Sequence, residues 1–311
     1  MIATLTLNPA IDGSAQAEKV VPVHKIRTVD EQYFPGGGGI NVSRVIKELG
    51  GGAFALYLGG GATGGVLQDL LRQNRVRAER FAIPGSTRIS HTVYERSTEL
   101  EFRFVPEGPE VSERDCGPLL QALRTLDCEY LVASGSIPRG LRTDIYAKIG
   151  AICRQQGIKL VLDSSGDALR QGLGSGVYLA KPSLGELETL VGKELPTPEA
   201  QEEAARELMH EDGIEMLAVT RGAHGAMLVT DERTFQRAAP KIRAKSAVGS
   251  GDSFLAAMTL RLASGHTPEA AFLYGMAAGA ATALTPGTAL CNRADVERLY
   301  AELRIDKGTE V

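Results

Sequence analysis

The chain has 311 residues, 43% of them hydrophobic, and a formal net charge of -4. That suffices for a large core in one or two domains, and so balanced a charge excludes holding a polyanion by bulk attraction, so no nucleic-acid partner is expected. No apolar run reaches the roughly 18 residues of a membrane span, and the opening MIATLTLNPAIDG lacks the basic stretch of a signal peptide.

Ile2–Leu7 reads as a short strand. Residues 12–35 hold few continuous apolar runs. Asn41–Leu49 puts Val42, Val45, Ile46 and Leu49 on one helical face, stopped by Gly50. Ala53–Leu58 reads as a strand, and Val66, Leu67, Leu70 and Leu71 mark a helix. Residues 86–105 read as two strands joined by a polar turn near Arg96–Glu99. Tyr130–Ala133, Lys159–Leu162, Val177–Ala180 and Met216–Thr220 are runs of the buried-strand kind, with helical stretches such as Asp144–Gln155 between them. Gly251–Ser264, Thr267–Leu284 and Ala294–Leu303 read as helices. The alternation predicts an α/β fold with a mostly parallel sheet covered on both faces. The two irregular segments, 12–35 and 86–105, are expected to form a small β lid within one domain spanning 1–311. Cys116, Cys128, Cys153 and Cys291 are scattered, so reduced, buried thiols in the cytoplasm are expected.

Three glycine-rich stretches invite chemistry. Gly249, Ser250 and Gly251 precede Asp252 at the start of a helix. Amides of a first helical turn point outward and form an anion site. A carboxylate there can take a proton from an attacking hydroxyl while the amides meet developing charge. Taken alone, the tetrapeptide fits better a carboxylate that merely caps a helix. The run Gly36–Gly39 before Asn41 reads equally as a ligand-hugging backbone or as a hinge. Gly59–Gly64 satisfies G-x-G-x-x-G and keeps a dinucleotide-dependent oxidoreductase open as a runner-up, with Glu79 the one candidate for the acidic partner. There is no G-x-x-x-x-G-K-[ST] and no G-x-S-x-G, and the five histidines are dispersed.

Taken together, TLTLNPAID, PGGGGINV, GGATG, SGSIPRG, LDSSGDAL, KPSLGE, TRGAHGA, VGSGDSF and GTALC resemble, in order and nearly end to end, the PfkB or ribokinase-like family of sugar kinases. The resemblance implies a three-layer sandwich with a small β lid and an ATP-dependent kinase acting on a sugar phosphate. Four glycines in a row and the G-T-x-L-C tail resemble the branch that phosphorylates fructose 6-phosphate. Kinases of fructose 1-phosphate or tagatose 6-phosphate are the alternatives, and a non-catalytic sugar-phosphate sensor is a reading of another class.

Carried over motif by motif, the resemblance makes Asp252 the base and the backbone of Gly249, Ser250 and Gly251 the anion hole. Asp12, Gly37, Gly38 and Asn41 would hold sugar hydroxyls, with Ser136 near the substrate. Lys25 and Arg88 would hold its phosphate, with Arg27 left open. Lys181, Ser183 and Glu186 would lie near the ATP phosphates, Glu186 serving Mg²⁺ through water. Thr220, Gly222 and Gly225 would flank the nucleotide. Ser246, Val248 and Gly287 lie where some relatives bind K⁺. Ser183 stands in place of a usual Asn and Ala289 in place of a frequent Arg. The family's habit also implies a homodimer through the lid.

Overall fold

The computed structural model describes residues 1–305; the end of the expected 1–311 domain, residues 306–311, lies outside the described residues. β1 (Ile2–Thr6) starts the central sheet, and β2 (Ala10–Ala17) and β3 (Thr28–Gly36) leave it for a second one. After α1 (Gly38–Glu48), β4 (Ala53–Gly60), α2 (Gly61–Gln73) and β5 (Arg77–Ile83), the chain returns to the second sheet with β6 (Arg88–Glu95) and β7 (Leu100–Phe104). Alternating elements follow: α3 (Glu113–Leu123), β8 (Tyr130–Ser134), α4 (Ile145–Gln156), β9 (Lys159–Asp163), α5 (Gly166–Leu173) and β10 (Val177–Ala180). Then come α6 (Leu184–Val191), α7 (Pro198–Asp212), β11 (Met216–Thr220), β12 (Ala226–Thr230), β13 (Thr234–Arg237), α8 (Ser250–Ala263), α9 (Pro268–Ala283) and α10 (Arg293–Ile305).

The central sheet runs β13-β12-β11-β10-β9-β8-β1-β4-β5, all parallel except β12, which pairs antiparallel with both β11 and β13. Strand alternation sorts its side chains into two cores. Ala3, Leu5, Leu131 and Ala133 face α3, α4 and α5, whereas Ile2, Tyr130 and Val132 face α1, α8 and α9. Buried on both faces, these strands read as continuous apolar runs, which is why they were legible. β5 was not. It is an edge strand whose exposed positions carry Arg77, Glu79 and Arg80, as edges that must resist pairing with another chain often do.

The chain leaves β1 towards β4 and β5, then comes back to place β8 on the other side of β1. Such a reversal opens a crevice outside the carboxyl ends of the two strands, where open α/β sheets bind ligands. Ser134 ends β8, Asp163 ends β9, and Lys181 follows β10, all at that edge. The second sheet, β3-β2-β6-β7, is made of residues 10–36 and 88–104. α8 brings its N-terminus to the crevice because α9 packs closely on it. A Cβ at Gly275 would sit 2.9 Å from the Phe254 carbonyl oxygen, and Phe254 and Phe272 meet edge to face at 6.0 Å, a contact worth about 0.5–1.5 kcal/mol beyond its burial.

Candidate active site

Gly249 begins α8 with φ 75°, a left-handed value that glycine adopts without strain. Asp252 therefore lies in the first helical turn and points into the crevice. Its Oδ2 accepts a hydrogen bond from Asn41 Nδ2 at 2.9 Å, and its Oδ1 a long one from Ser134 Oγ at 3.4 Å. Ser134 is equally distant, 3.4 Å, from Asp163 Oδ2, and Asp163 Oδ1 pairs with Lys181 Nζ at 3.2 Å. Burial pushes the Asp252 carboxyl up to about 7, and the neighbouring Asp163 charge adds to this. Burial raises Asp163 as well, against the pull of Lys181. Burial alone would lower Lys181, but Asp163 and Asp252 outweigh it and hold the ammonium charged. Two carboxylates and one ammonium thus sit together, Lys181 buried and both carboxylates partly buried, where their interactions are stronger than at an exposed surface.

The glycine run is packed rather than loose. A Cβ on Gly36 would collide with the Asp12 carboxylate and one on Gly38 with Ser134 Oγ, while Gly37 sits at φ 104°. The end of β1 reaches this run too, with Ile40 N donating to Thr6 Oγ1 at 2.9 Å. The close approach seen at the run is that of protein atoms, from Asp12 and Ser134, to the glycine backbone. Asp12, on β2, is raised by burial against the pull of Arg44, Arg88 and Arg103. Arg88 at the start of β6 donates from Nη1 to the Pro106 carbonyl and from Nη2 to the Asn8 carbonyl, both at 2.9 Å. Ser136 lies beside them, accepting from Asn8 Nδ2 at 3.2 Å.

The other expected residues fall in three places. Ser183 and Glu186 form a reciprocal capping box at the start of α6, with Glu186 Oε2 accepting from Ser183 N at 2.7 Å and Ser183 Oγ at 2.8 Å. Thr220 bridges to Ser183, and Gly222 and Gly225 bound the tight turn after β11. Ser246 Oγ donates to Glu101 Oε2 of β7 at 3.0 Å and accepts from Val248 N at 3.3 Å, and Gly287 approaches Ser14 of β2. This contact forms one wall of a cleft of about 440 Å³ between the second sheet and the loops that carry Arg243, Lys245 and Gly287.

Lys25 is not brought into this cluster. It is exposed on the loop between β2 and β3, beyond the Ala17–Thr28 pair, whereas Asp12 pairs with Phe34 near the other end. Asp12 and Ala17 are five residue steps apart along the strand, roughly 17 Å at the usual rise. Arg27 shares that loop. The dinucleotide reading also loses its acidic partner: Glu79 pairs with Leu56 in mid-strand, and β5 ends at Ile83.

Sequence reasoning gave no role to Asp163, Ser134 or Arg44. The signal for Asp163 was available, as a carboxylate ending a buried parallel strand beside the crevice. A Mg²⁺ site made wholly of protein would need more ligands than are present, since no group of three acidic, His or Cys side chains could hold an ion among the described residues. Mg²⁺ that keeps its waters and a substrate's phosphates needs only one or two carboxylates. The hard oxygens of Asp163 and Glu186, whose charges both act on Lys181, fit that requirement.

The model of the pfkB family of carbohydrate kinases matches residues 7–295. The chain is 42% identical over 301 residues to an ATP-dependent 6-phosphofructokinase isozyme 2 of Mycobacterium tuberculosis, covering 96% of this chain and 88% of that one. It is 32% identical over 308 residues to a 1-phosphofructokinase of Bacillus subtilis, covering 99% and 100%. Crystal structures of phosphofructokinase-2 from Escherichia coli, one with substrates and products and one with potassium, superpose with a TM-score of 0.93 at 36% identity over 97% of this chain and 99% of that one.

Proposed function

The chain belongs to the pfkB family of carbohydrate kinases, and from that membership we propose that it phosphorylates fructose 6-phosphate with ATP, giving fructose 1,6-bisphosphate and ADP. The observation that carries the reading is Asp252: a half-buried carboxylate at a helix N-terminus, near neutrality in pKa, with one oxygen held by Asn41. Asp252 takes the proton of the attacking sugar hydroxyl. The amides of Gly249, Ser250 and Gly251, with Lys181, meet the charge of the phosphoryl group in transfer. The Ser250 amide also reaches the Ala247 carbonyl at 3.3 Å, a weak bond to give up. Asp12, Asn41 and the backbone of Gly37 and Gly38 hold sugar hydroxyls, Ser136 lies beside them, and Arg88 holds the 6-phosphate. Glu186 and Asp163 would hold Mg²⁺, which would supply charge neutralisation on the ATP phosphates. Thr220, Gly222 and Gly225 flank the nucleotide, and Ser246, Val248 and Gly287 supply oxygens suited to K⁺. Product analysis tests the reading: ³¹P NMR of a completed reaction gains a phosphomonoester on C1 of the sugar, and a product lacking it overturns the substrate assignment.

The same carboxylate sets the pH dependence. The base must be ionised, so kcat/KM falls about tenfold per pH unit below about 7 and levels off above it. A rate–pH profile that stays flat down to pH 5 would remove Asp252 from this role.

The second sheet serves as the lid. The face opposite Asp12 carries Tyr33, His91 and Phe104 in one row of cross-strand partners. Tyr33 is 48% and Phe104 54% exposed, and Leu100 near the sheet's edge 60%. So much aromatic surface on one face suits a second copy of the chain. Phe104→Asp is expected to turn a dimer into a monomer in light scattering; a wild type that is monomeric at micromolar concentration contradicts it. Lys25 sits on the loop at the end of the hairpin away from Asp12, and a second copy docked on the lid is a route by which its ammonium would meet a sugar phosphate.

A further inference from the structure

We propose that Arg44 is the positioning residue of the base, fixing which way the Asn41 amide points and anchoring it to the lid strand. Asn41 carries one acceptor and one donor of nearly equal shape, so its amide can sit either way round unless its neighbours choose. Arg44 chooses. It lies three residues on, the same face of α1, and its Nη1 donates to Asn41 Oδ1 at 3.1 Å. A guanidinium has no acceptor, so it selects the oxygen and leaves Nδ2 to face Asp252 Oδ2 at 2.9 Å. With the amide reversed, two oxygens would meet across that gap and the guanidinium would face an NH₂ group.

The consequence reaches the chemistry. Asp252 Oδ2 is occupied, and Oδ1 has only the long contact to Ser134 at 3.4 Å, so Oδ1 is the oxygen left to receive a proton. Arg44 is itself fixed from the lid side. The same Nη1 donates to the Pro35 carbonyl at 3.0 Å, and the guanidinium lies 5.2 Å from the centroid of the Phe34 ring. Phe34 and Pro35 belong to β3, where Phe34 pairs with Asp12. One side chain therefore spans the lid root and the base. Burial pulls the Arg44 guanidinium down to about 10, against the support of Asp12 and Asp252, and it remains a cation at neutral pH. No other donor reaches Asn41 Oδ1 among the described residues.

The inference rests on Asp252 being the base of the proposed kinase, and its test is a double-mutant cycle. Steady-state kcat and KM with Mg-ATP and fructose 6-phosphate are measured for the wild type, Arg44→Met, Asn41→Ala and the double variant. Arg44→Met is expected to lower kcat about 10²-fold, the scale of a small misplacement of a reacting group, with KM for ATP unchanged. In the Asn41→Ala background the same change costs less than about twofold, the scatter of independent sites. Arg44→Lys, which keeps a donor and the charge, recovers part of the loss, and it replaces Arg44→Met in the cycle if that variant does not fold. A loss that persists in full without the Asn41 amide, or an unchanged kcat, overturns the inference. A wild type without turnover refutes the kinase reading instead; Arg44 is then judged from the crystal structure of Arg44→Met, where an Asn41 amide still bonded to Asp252 overturns the proposal and one turned away supports it.

Discussion

Asp252→Asn is expected to lose about 10²–10⁴-fold in kcat, the usual contribution of a positioned general base, while binding Mg-ATP as tightly as the wild type. The amide is nearly isosteric and can still accept from Asn41, so the site keeps its shape and loses only the capacity to take a proton. The same change is expected to raise Tm at pH 8. Folding raises the Asp252 pKa from 3.8 to about 7 because burial penalises the charge. The stability this group contributes is full below pH 3.8, is lost between there and about 7, and is absent at pH 8. Removing the charge relieves that cost, with about 2–4 °C gained for each kcal/mol. Catalysis lost with stability gained separates a chemical role from a damaged fold. Undiminished turnover would sink the assignment of the base.

Lys181→Met is expected to act in the opposite sense on stability. Lys181 and Asp163 are almost wholly enclosed, with side chains 7% and 16% exposed and 3.2 Å between the charges. Removing one partner of a buried pair strands the other and costs about 3–5 kcal/mol. Asp163 then titrates still higher, and Asp252 loses one of the two influences that hold its pKa down, the other being the Asn41 hydrogen bond. Adding Asp163→Asn should restore most of the stability without restoring turnover. Calorimetry decides the matter: an unchanged Tm with only a raised KM for ATP would mean that Lys181 serves the nucleotide and not the pair.

The parts of the molecule that were legible are those whose signal is local. Ile2–Leu7 and Tyr130–Ala133 announce buried strands by continuous apolar residues, and the hairpin of β6 and β7 appears where alternation breaks at Arg96–Glu99. Gly249–Asp252 and the glycine run before Asn41 could be singled out because each packs several unusual residues together. β5 was masked by the charges of an edge strand. Ser134, Asp163 and Lys181 come from the ends of different strands, and Ser134 meets Asp252 across 118 positions of sequence, so no window of residues contains their relationship. Arg44 was close at hand, yet its meaning depends on Pro35 and Asp252 together. In sequence Ser183 departs from a family motif; in structure it opens a capping box, the S-x-x-E pattern that helix starts use on their own account. Lys25 was placed by its charge and its segment, and register then set it at the far end of the hairpin.

Phosphorylation of fructose 6-phosphate at this site is directly measurable. The most direct measurement is ADP release with Mg-ATP against fructose 6-phosphate, fructose 1-phosphate, tagatose 6-phosphate and unphosphorylated fructose, each with and without K⁺. The expected kcat/KM for fructose 6-phosphate is about 10⁴ M⁻¹s⁻¹ or more, at least tenfold above each of the others. Preference for another sugar phosphate would keep Asp252 and its neighbours and replace the substrate, and no turnover with any of them would contradict the account.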